Sequence, residues 1–199
     1  MSRPKSSKRR RTEAHAYVAP PTASASSLLR GGSDRVFQKL VFDLFTISAR
    51  LEDIRIHLAS RMNITASQYS VLRAVAALQA PDGVSIGTVA DHLHVTSAFI
   101  TAQSRGLVEQ DLLDKQEDQT DRRVSLLSLT RKGERIVDEI VEQVRPINDM
   151  FFGTLERSEV DALSGIIDKL VQSSRDAIVR ISAERQEASL SSRDRHTAV

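Results

Sequence analysis

The 199-residue chain has no cysteine and no tryptophan, is only 4% aromatic, and contains no long apolar run. Without cysteine there are no disulfides, no thiol nucleophile and no cysteine-based redox sensing. No stretch approaches the ~20 apolar residues that a membrane helix needs, and the basic N-terminus lacks the apolar segment of a secretory signal. A cytoplasmic location is therefore expected. Catalytic signatures are missing too. There is no G-x-S-x-G elbow and no glycine-rich phosphate loop, and the acids scatter over helix surfaces, so no catalytic residue, enzyme activity or cofactor is expected.

The composition is that of one ordinary domain with tails, since 40% hydrophobic residues suffice to fill a core. Net charge is +2, but residues 1–33 hold seven Lys/Arg against Glu13, a balance of +6, which leaves −4 on the rest. Basicity sits in the N-terminal arm, so overall charge says little about the core. The arm is rich in Ser, Ala, Pro and Arg and has no helical or strand period, which predicts a flexible segment. Its KRRR run (8–11) fits a nuclear-import patch, non-specific phosphate contact or a solubilising tail.

Beyond Gly31-Gly32-Ser33 the pattern turns helical. Leu40, Leu44, Ile47, Leu51, Ile54, Leu58 and Met62 recur every three or four residues, predicting a helix from about Phe37 to 62. Its length exceeds what covers a small core, and association across a dimer is a natural use. Thr65-Ala-Ser-Gln68 is a capping box opening a second helix, which Ala80-Pro-Asp-Gly83 ends. Ser85 caps a short helix to about His94, and Thr96 caps another over Ser97–Gln110. Two short helices joined by a tight turn form a helix-turn-helix, the second being the candidate groove reader. A hairpin with a charged tip follows, built from Leu112-Leu113 and the strand Val124–Leu129. Thr130 then caps a helix over about 131–152, with Pro146 placed to kink it. Ser158 is expected to cap a last helix to about 185, followed by a polar, frayed end.

The resulting fold class is mainly α with a small β-wing, a winged helix-turn-helix framed by long helices. The expected organisation is a flexible arm at 1–33, a helical dimerisation region at 34–62 and 131–185, a DNA-binding domain at 63–130, and a polar tail at 186–199. The sequence resembles the MarR family over about residues 36–180. The pieces that carry the resemblance are Ile64–Leu72 (ITASQYSVL), Ser85–Thr96 (SIGTVADHLHVT), and Asp118-Gln-Thr-Asp121-Arg122-Arg123 followed by Leu129-Thr130-Arg-Lys-Gly133.

That resemblance implies a wing arginine in the DNA minor groove, oriented by a nearby aspartate, and Arg123 and Asp121 hold those positions beside Arg122. A narrow minor groove concentrates negative potential and attracts guanidinium groups. With Ile100 and Leu107 facing inward, the reading helix would offer Ser97, Ala98, Thr101, Ala102 and Arg105 to DNA. Three departures from the family pattern bear on how this helix is set. They are Gln103 in place of an apolar or basic residue, Gly106 inside the helix, and Asp111 where a glycine commonly precedes the wing.

The partners implied are double-stranded DNA with a palindromic operator, a second copy forming a homodimer, and a small-molecule effector. In such dimers the half-sites lie roughly 34–36 Å apart. The family implies an effector bound between the dimerisation helices and the reading head. Many relatives respond to aromatic carboxylates or their thioesters and control catabolic or efflux genes. On the first helix, Ser48 and Arg55 share one flank of the apolar stripe, and in the family fold Tyr69 would line the same cavity. A guanidinium bordering apolar surface suits an aromatic acid or its coenzyme A thioester. The plain alternative is that Arg55 snorkels or pairs with an acid across the dimer. Two other functions compete, a constitutive architectural DNA-binding protein and a metal-sensing regulator. For the latter, His92 and His94 are spaced i, i+2 and cannot face one another on a helix, so no metal site is expected.

Overall fold

Asp34 organises the chain that leads into the first long helix. The residue is 4% exposed, and its carboxylate accepts hydrogen bonds from the Thr22 amide (2.6 Å), the Thr22 hydroxyl (2.8 Å) and the Gln38 side-chain amide (2.9 Å). These donors, the Thr22 amide first, hold its pKa below the usual carboxylate value. The computed structural model describes Tyr17 and residues 19–197, with side chains through residue 186. The basic residues expected to form the flexible arm thus lie mostly outside the described residues. Residues 19–33, assigned to the same arm, instead carry a 3₁₀ turn at Ser26–Leu28 and a bridge between Arg30 and Ser33 across Gly31-Gly32. Thr22 is not marked by any local period in the sequence, because its partner lies twelve residues away.

The chain divides into two compact units, Met1–Tyr69 and Ser70–Val199. In the first, α1 spans Arg35–Arg61. It ends where Asn63 turns left-handed (φ +56°) and the Met62 and Ile64 amides close onto the Ala59 carbonyl. Leu58 and Ala59 are buried, whereas Leu40, Phe42, Phe45, Ile47 and Leu51 stand 40–67% exposed along the helix. α2 spans Ala66–Leu78 and opens on the predicted capping box. The Thr65 amide donates to Gln68 Oε1 (2.9 Å) and the Gln68 amide to Thr65 Oγ1 (3.1 Å).

The second unit surrounds a core that includes Val71, Leu72, Val75, Val89, Ile100, Leu107, Leu113, Leu127 and Ile140, all 1% exposed or less. α3 (Ile86–Leu93) packs on α4 (Ser97–Glu109), and α4 packs on strand β2 (Leu113–Glu117). β2 pairs antiparallel with β3 (Ser125–Leu129), Leu113 opposite Leu129 and Glu117 opposite Ser125. A third strand, β1 (Val84–Ser85), was not foreseen. It pairs with β3 and completes a sheet of order β1-β3-β2. Two residues are too short for a period, but the turn before them was legible. Gly83 sits at φ +101°, and a Cβ there would lie 2.8 Å from the Leu127 carbonyl oxygen.

α5 (Arg131–Phe152) follows the sheet, with Pro146 inside one continuous helix. α6 runs from Arg157 to Thr197, well past the expected end near 185 and through residues expected to fray. It also starts earlier than foreseen. Ser158 lies inside the helix, and the Glu156 amide is met by the Glu159 carboxylate (2.9 Å) rather than by a serine cap. None of its described side chains is buried, and Val160, Leu163, Ile166, Ile167 and Leu170 are 38–54% exposed.

Candidate nucleic-acid interface

The helix-turn-helix is fixed by two hydroxyl caps and one left-handed residue. Ser85 Oγ accepts from the Thr88 amide (3.0 Å) at the start of α3, and Thr96 Oγ1 accepts from the Phe99 amide (3.2 Å) at the start of α4. Between them His94 takes φ +56°, and the Val95 amide returns to the Ala90 carbonyl (3.0 Å). Histidine is among the residues that tolerate this conformation, so His94 has a backbone role. Its Nδ1 lies 2.9 Å from Arg175 Nη2 of α6. A guanidinium can only donate, so Nδ1 is the acceptor there.

On α4, Ile100, Ser104 and Leu107 point into the core, which aims the opposite face outward. Ser97, Ala98, Ala102 and Arg105 are exposed, as their spacing predicts. Thr101 differs, being half-buried with its hydroxyl donating to the Ser97 carbonyl (2.9 Å). Gln103 and Gly106 are half-buried within a helix that runs unbroken to Glu109. The residue-type departure at Gly106 therefore does not end α4.

The wing tip is shaped by its two aspartates. Asp118 Oδ1 accepts from the Thr120 amide (2.7 Å), the Thr120 hydroxyl and the Asp121 amide (3.0 Å). These bonds, the Thr120 hydroxyl foremost, hold its pKa below the ordinary carboxylate value. Asp121 Oδ1 accepts from the Arg123 amide (3.0 Å), and the Val124 amide donates to the Asp121 carbonyl (2.8 Å). Asp121 thus engages Arg123 through the backbone. Arg122 and Arg123 are both exposed at the tip. The spacing of the motif reflects two successive side-chain-to-backbone turns, with the arginines on the second.

At the base of the wing, three features of the L-T-x-x-G segment meet. Thr130 Oγ1 accepts from the Gly133 amide (2.9 Å) and donates to the Asp111 carbonyl (2.7 Å). A Cβ on Gly133 would lie 2.0 Å from the Leu112 carbonyl oxygen, so only glycine lets α5 start here. Asp111 takes φ +58°, the conformation that makes glycine the ordinary choice at this point. The departure noted at Asp111 is a residue-type departure, with the left-handed backbone kept.

The expected effector residues are placed unequally. Ser48 and Arg55 flank a shallow hollow on α1 with Leu44, Ile47, Leu51 and Glu52, and Tyr69 is not among its lining residues. Arg55 is held by Glu52, Nε donating to Oε2 at 2.8 Å. Glu52 was not among the expected site residues, although its i, i+3 spacing to Arg55 is the signal for this pair. A carboxylate ligand would have to share Arg55 with that acid. Among the described residues no group of three or more His, Cys, Asp or Glu gathers as metal ligands. No helix of the described residues is long and apolar enough to cross a membrane.

The MarR family model matches residues 62–124, from the end of α1 to the wing. No curated protein matches the sequence. Among solved structures, CouR from Rhodococcus jostii RHA1 bound to p-coumaroyl-CoA is similar at TM-score 0.60 and 20% identity, covering 66% of this chain and 91% of that one. The S. aureus MepR–DNA complex is similar at TM-score 0.58 and 20% identity, covering 67% and 96%. PcaV from Streptomyces coelicolor in complex with its natural ligand is similar at TM-score 0.52 and 27% identity, covering 64% and 91%. The caps, the three-stranded sheet and the D-x-x-D-R-R wing fall in or against the segment that matches, and over residues 62–124 the chain is similar to MarR-family regulators.

Proposed function

We propose that this protein is a homodimeric transcriptional repressor that binds a palindromic operator and leaves it when a small aromatic acid, or its coenzyme A thioester, is bound. The observation that carries the reading is the joint exposure of the outer face of α4 and of the wing arginines Arg122 and Arg123 on one sheet-braced unit. In this reading Ser97, Ala98, Thr101, Ala102 and Arg105 meet the major groove. Arg123 enters the minor groove, Arg122 contacts backbone nearby, and Asp121 keeps the tip in shape through the Arg123 amide. The second copy covers the apolar faces that α1 and α6 leave in solvent.

Effector release rests on Ser48, Arg55 and Tyr69, with Arg55 exchanging Glu52 for the ligand carboxylate. Support comes from the fold, which in CouR accommodates p-coumaroyl-CoA and in PcaV a natural ligand. An effector acts only by binding the two states of the dimer unequally. The genes controlled would be catabolic or efflux functions for such compounds.

Gel-shift titration on a palindromic promoter fragment tests the interface. Arg123→Ala should weaken binding by about 1–3 kcal/mol with the dimer intact, and Arg123→Lys should recover only part, since lysine lacks the planar fork. Unchanged affinity in Arg123→Ala would remove the wing from the mechanism. Calorimetry with a panel of aromatic acids and their thioesters tests the effector site. Ligands should bind the wild type and lose affinity in Arg55→Ala, and equal binding by both proteins would refute the assignment.

A further inference from the structure

We propose that the α4 face reads thymine methyl groups, through Ala98 and Ala102, beside a single guanine held by Arg105. The inference rests on the DNA-binding reading above and names the class of half-site that the protein selects. Opposite the buried Ile100, Ser104 and Leu107, the centre of the outward face is occupied by Ala98 and Ala102, both exposed. The neighbouring hydroxyls are largely committed elsewhere. Thr101 donates its proton to the Ser97 carbonyl (2.9 Å), and Ser104 is buried and donates to the Thr101 carbonyl (3.2 Å). Val95 and Phe99, each 37% exposed, continue the apolar surface into the turn.

A face of this kind is selective by what it lacks. In the major groove adenine, guanine and cytosine present only hydrogen-bond donors and acceptors, whereas thymine adds a methyl group. An alanine pressed against an amine or carbonyl edge strips water from it and returns no bond, which is unfavourable. Against a thymine methyl the same contact buries apolar surface on both sides. The short side chains also let the helix come close enough for that contact to form.

Arg105 lies seven residues after Ala98 and three after Ala102, so it shares their face one turn on. Its fork fits guanine O6 and N7. Glu109, exposed one further turn along, is an acid on the same face and disfavours deeper entry of that end among phosphates. The first two to three turns of α4 therefore sit deepest, as in other helices that read through their N-terminal residues.

The test uses the full-length protein and duplexes enriched by it from a random pool. In an enriched duplex, each half-site thymine facing α4 is replaced singly by deoxyuridine, which removes the methyl and keeps the pairing. We expect wild-type affinity to fall several-fold, on the order of 3–10, at one or two positions per half-site. Ala102→Gly should bind the thymine duplex less tightly and be indifferent to uracil at the position it faces. Replacing the adjacent guanine by 7-deazaguanine should weaken wild type but leave Arg105→Ala unaffected. Thymines under the wing should tolerate uracil, because the methyl lies in the major groove. Enriched half-sites without thymine opposite α4, or wild-type affinity indifferent to every uracil, would overturn the proposal while leaving DNA binding in place. A pool that yields no enriched duplex would overturn the DNA-binding reading itself.

Discussion

Gly133 shows how one residue couples the wing to the helix behind it. Its missing side chain leaves room for the Leu112 carbonyl oxygen, which a Cβ would approach to 2.0 Å. Gly133→Ala must push backbone against backbone, so we expect a loss of about 1–3 kcal/mol, in the range of overpacked cores. Urea melts should show a lower midpoint at unchanged slope, and an alanine variant as stable as the wild type would mean that α5 moves freely off the hairpin base. Asp111 makes a paired case. At φ +58° alanine should be less stable than aspartate or glycine by roughly 1 kcal/mol, and equal melts for Asp111→Ala and Asp111→Gly would count against any strain there. The L-T-x-x-G pattern was readable in the sequence, but its cause was not. The close approach is between residues 21 apart, and the left-handed aspartate differs from other aspartates only in its backbone.

Most elements were legible where a cap or a period marked them, α6 excepted, whose expected Ser158 cap lies inside the helix. The Thr65–Gln68 box, the Ser85 and Thr96 caps and the Thr130 cap all sit where their side chains predict, because each bond is local. β1 and the Thr22–Asp34 clasp escaped because their partners come from distant segments. The wing adds a pH prediction. Asp118 has a folded pKa depressed by its hydrogen bonds, so its contribution to tip order is complete above the ordinary carboxylate pKa and is lost as pH falls through the depressed value. We therefore expect the Thr120 and Asp121 amide resonances to hold their native positions from neutral pH down to about pH 4 and to collapse only below it. Asp118→Ala should lack them at every pH. Loss of these signals between pH 7 and 5 would show that Asp118 does not hold the tip.

At the scale of the whole molecule, the described surface is more apolar than a solitary chain would keep. Phe42, Phe45, Ile166, Ile178 and Val179 are 54–69% exposed on α1 and α6. Light scattering at micromolar concentration should give about twice the 22.0 kDa chain mass, and a folded monomer would exclude the dimer. The basic arm is the other global feature, legible as composition alone. Six of the first eleven residues are Lys or Arg, while residues 34–199 carry a net −4. Lysine and arginine contacts to the phosphate backbone do not read bases, and each releases counterions. Deleting residues 1–30 should therefore flatten the plot of log affinity against log salt, by up to about 5 if all six cations contact phosphate. The preferred operator should stay the same, because the proposed reading assigns sequence recognition to α4 and the wing. Titrations of both proteins between 50 and 200 mM salt measure the difference. An unchanged slope would make the arm a bystander in binding, and a changed operator preference would give it a part in reading sequence.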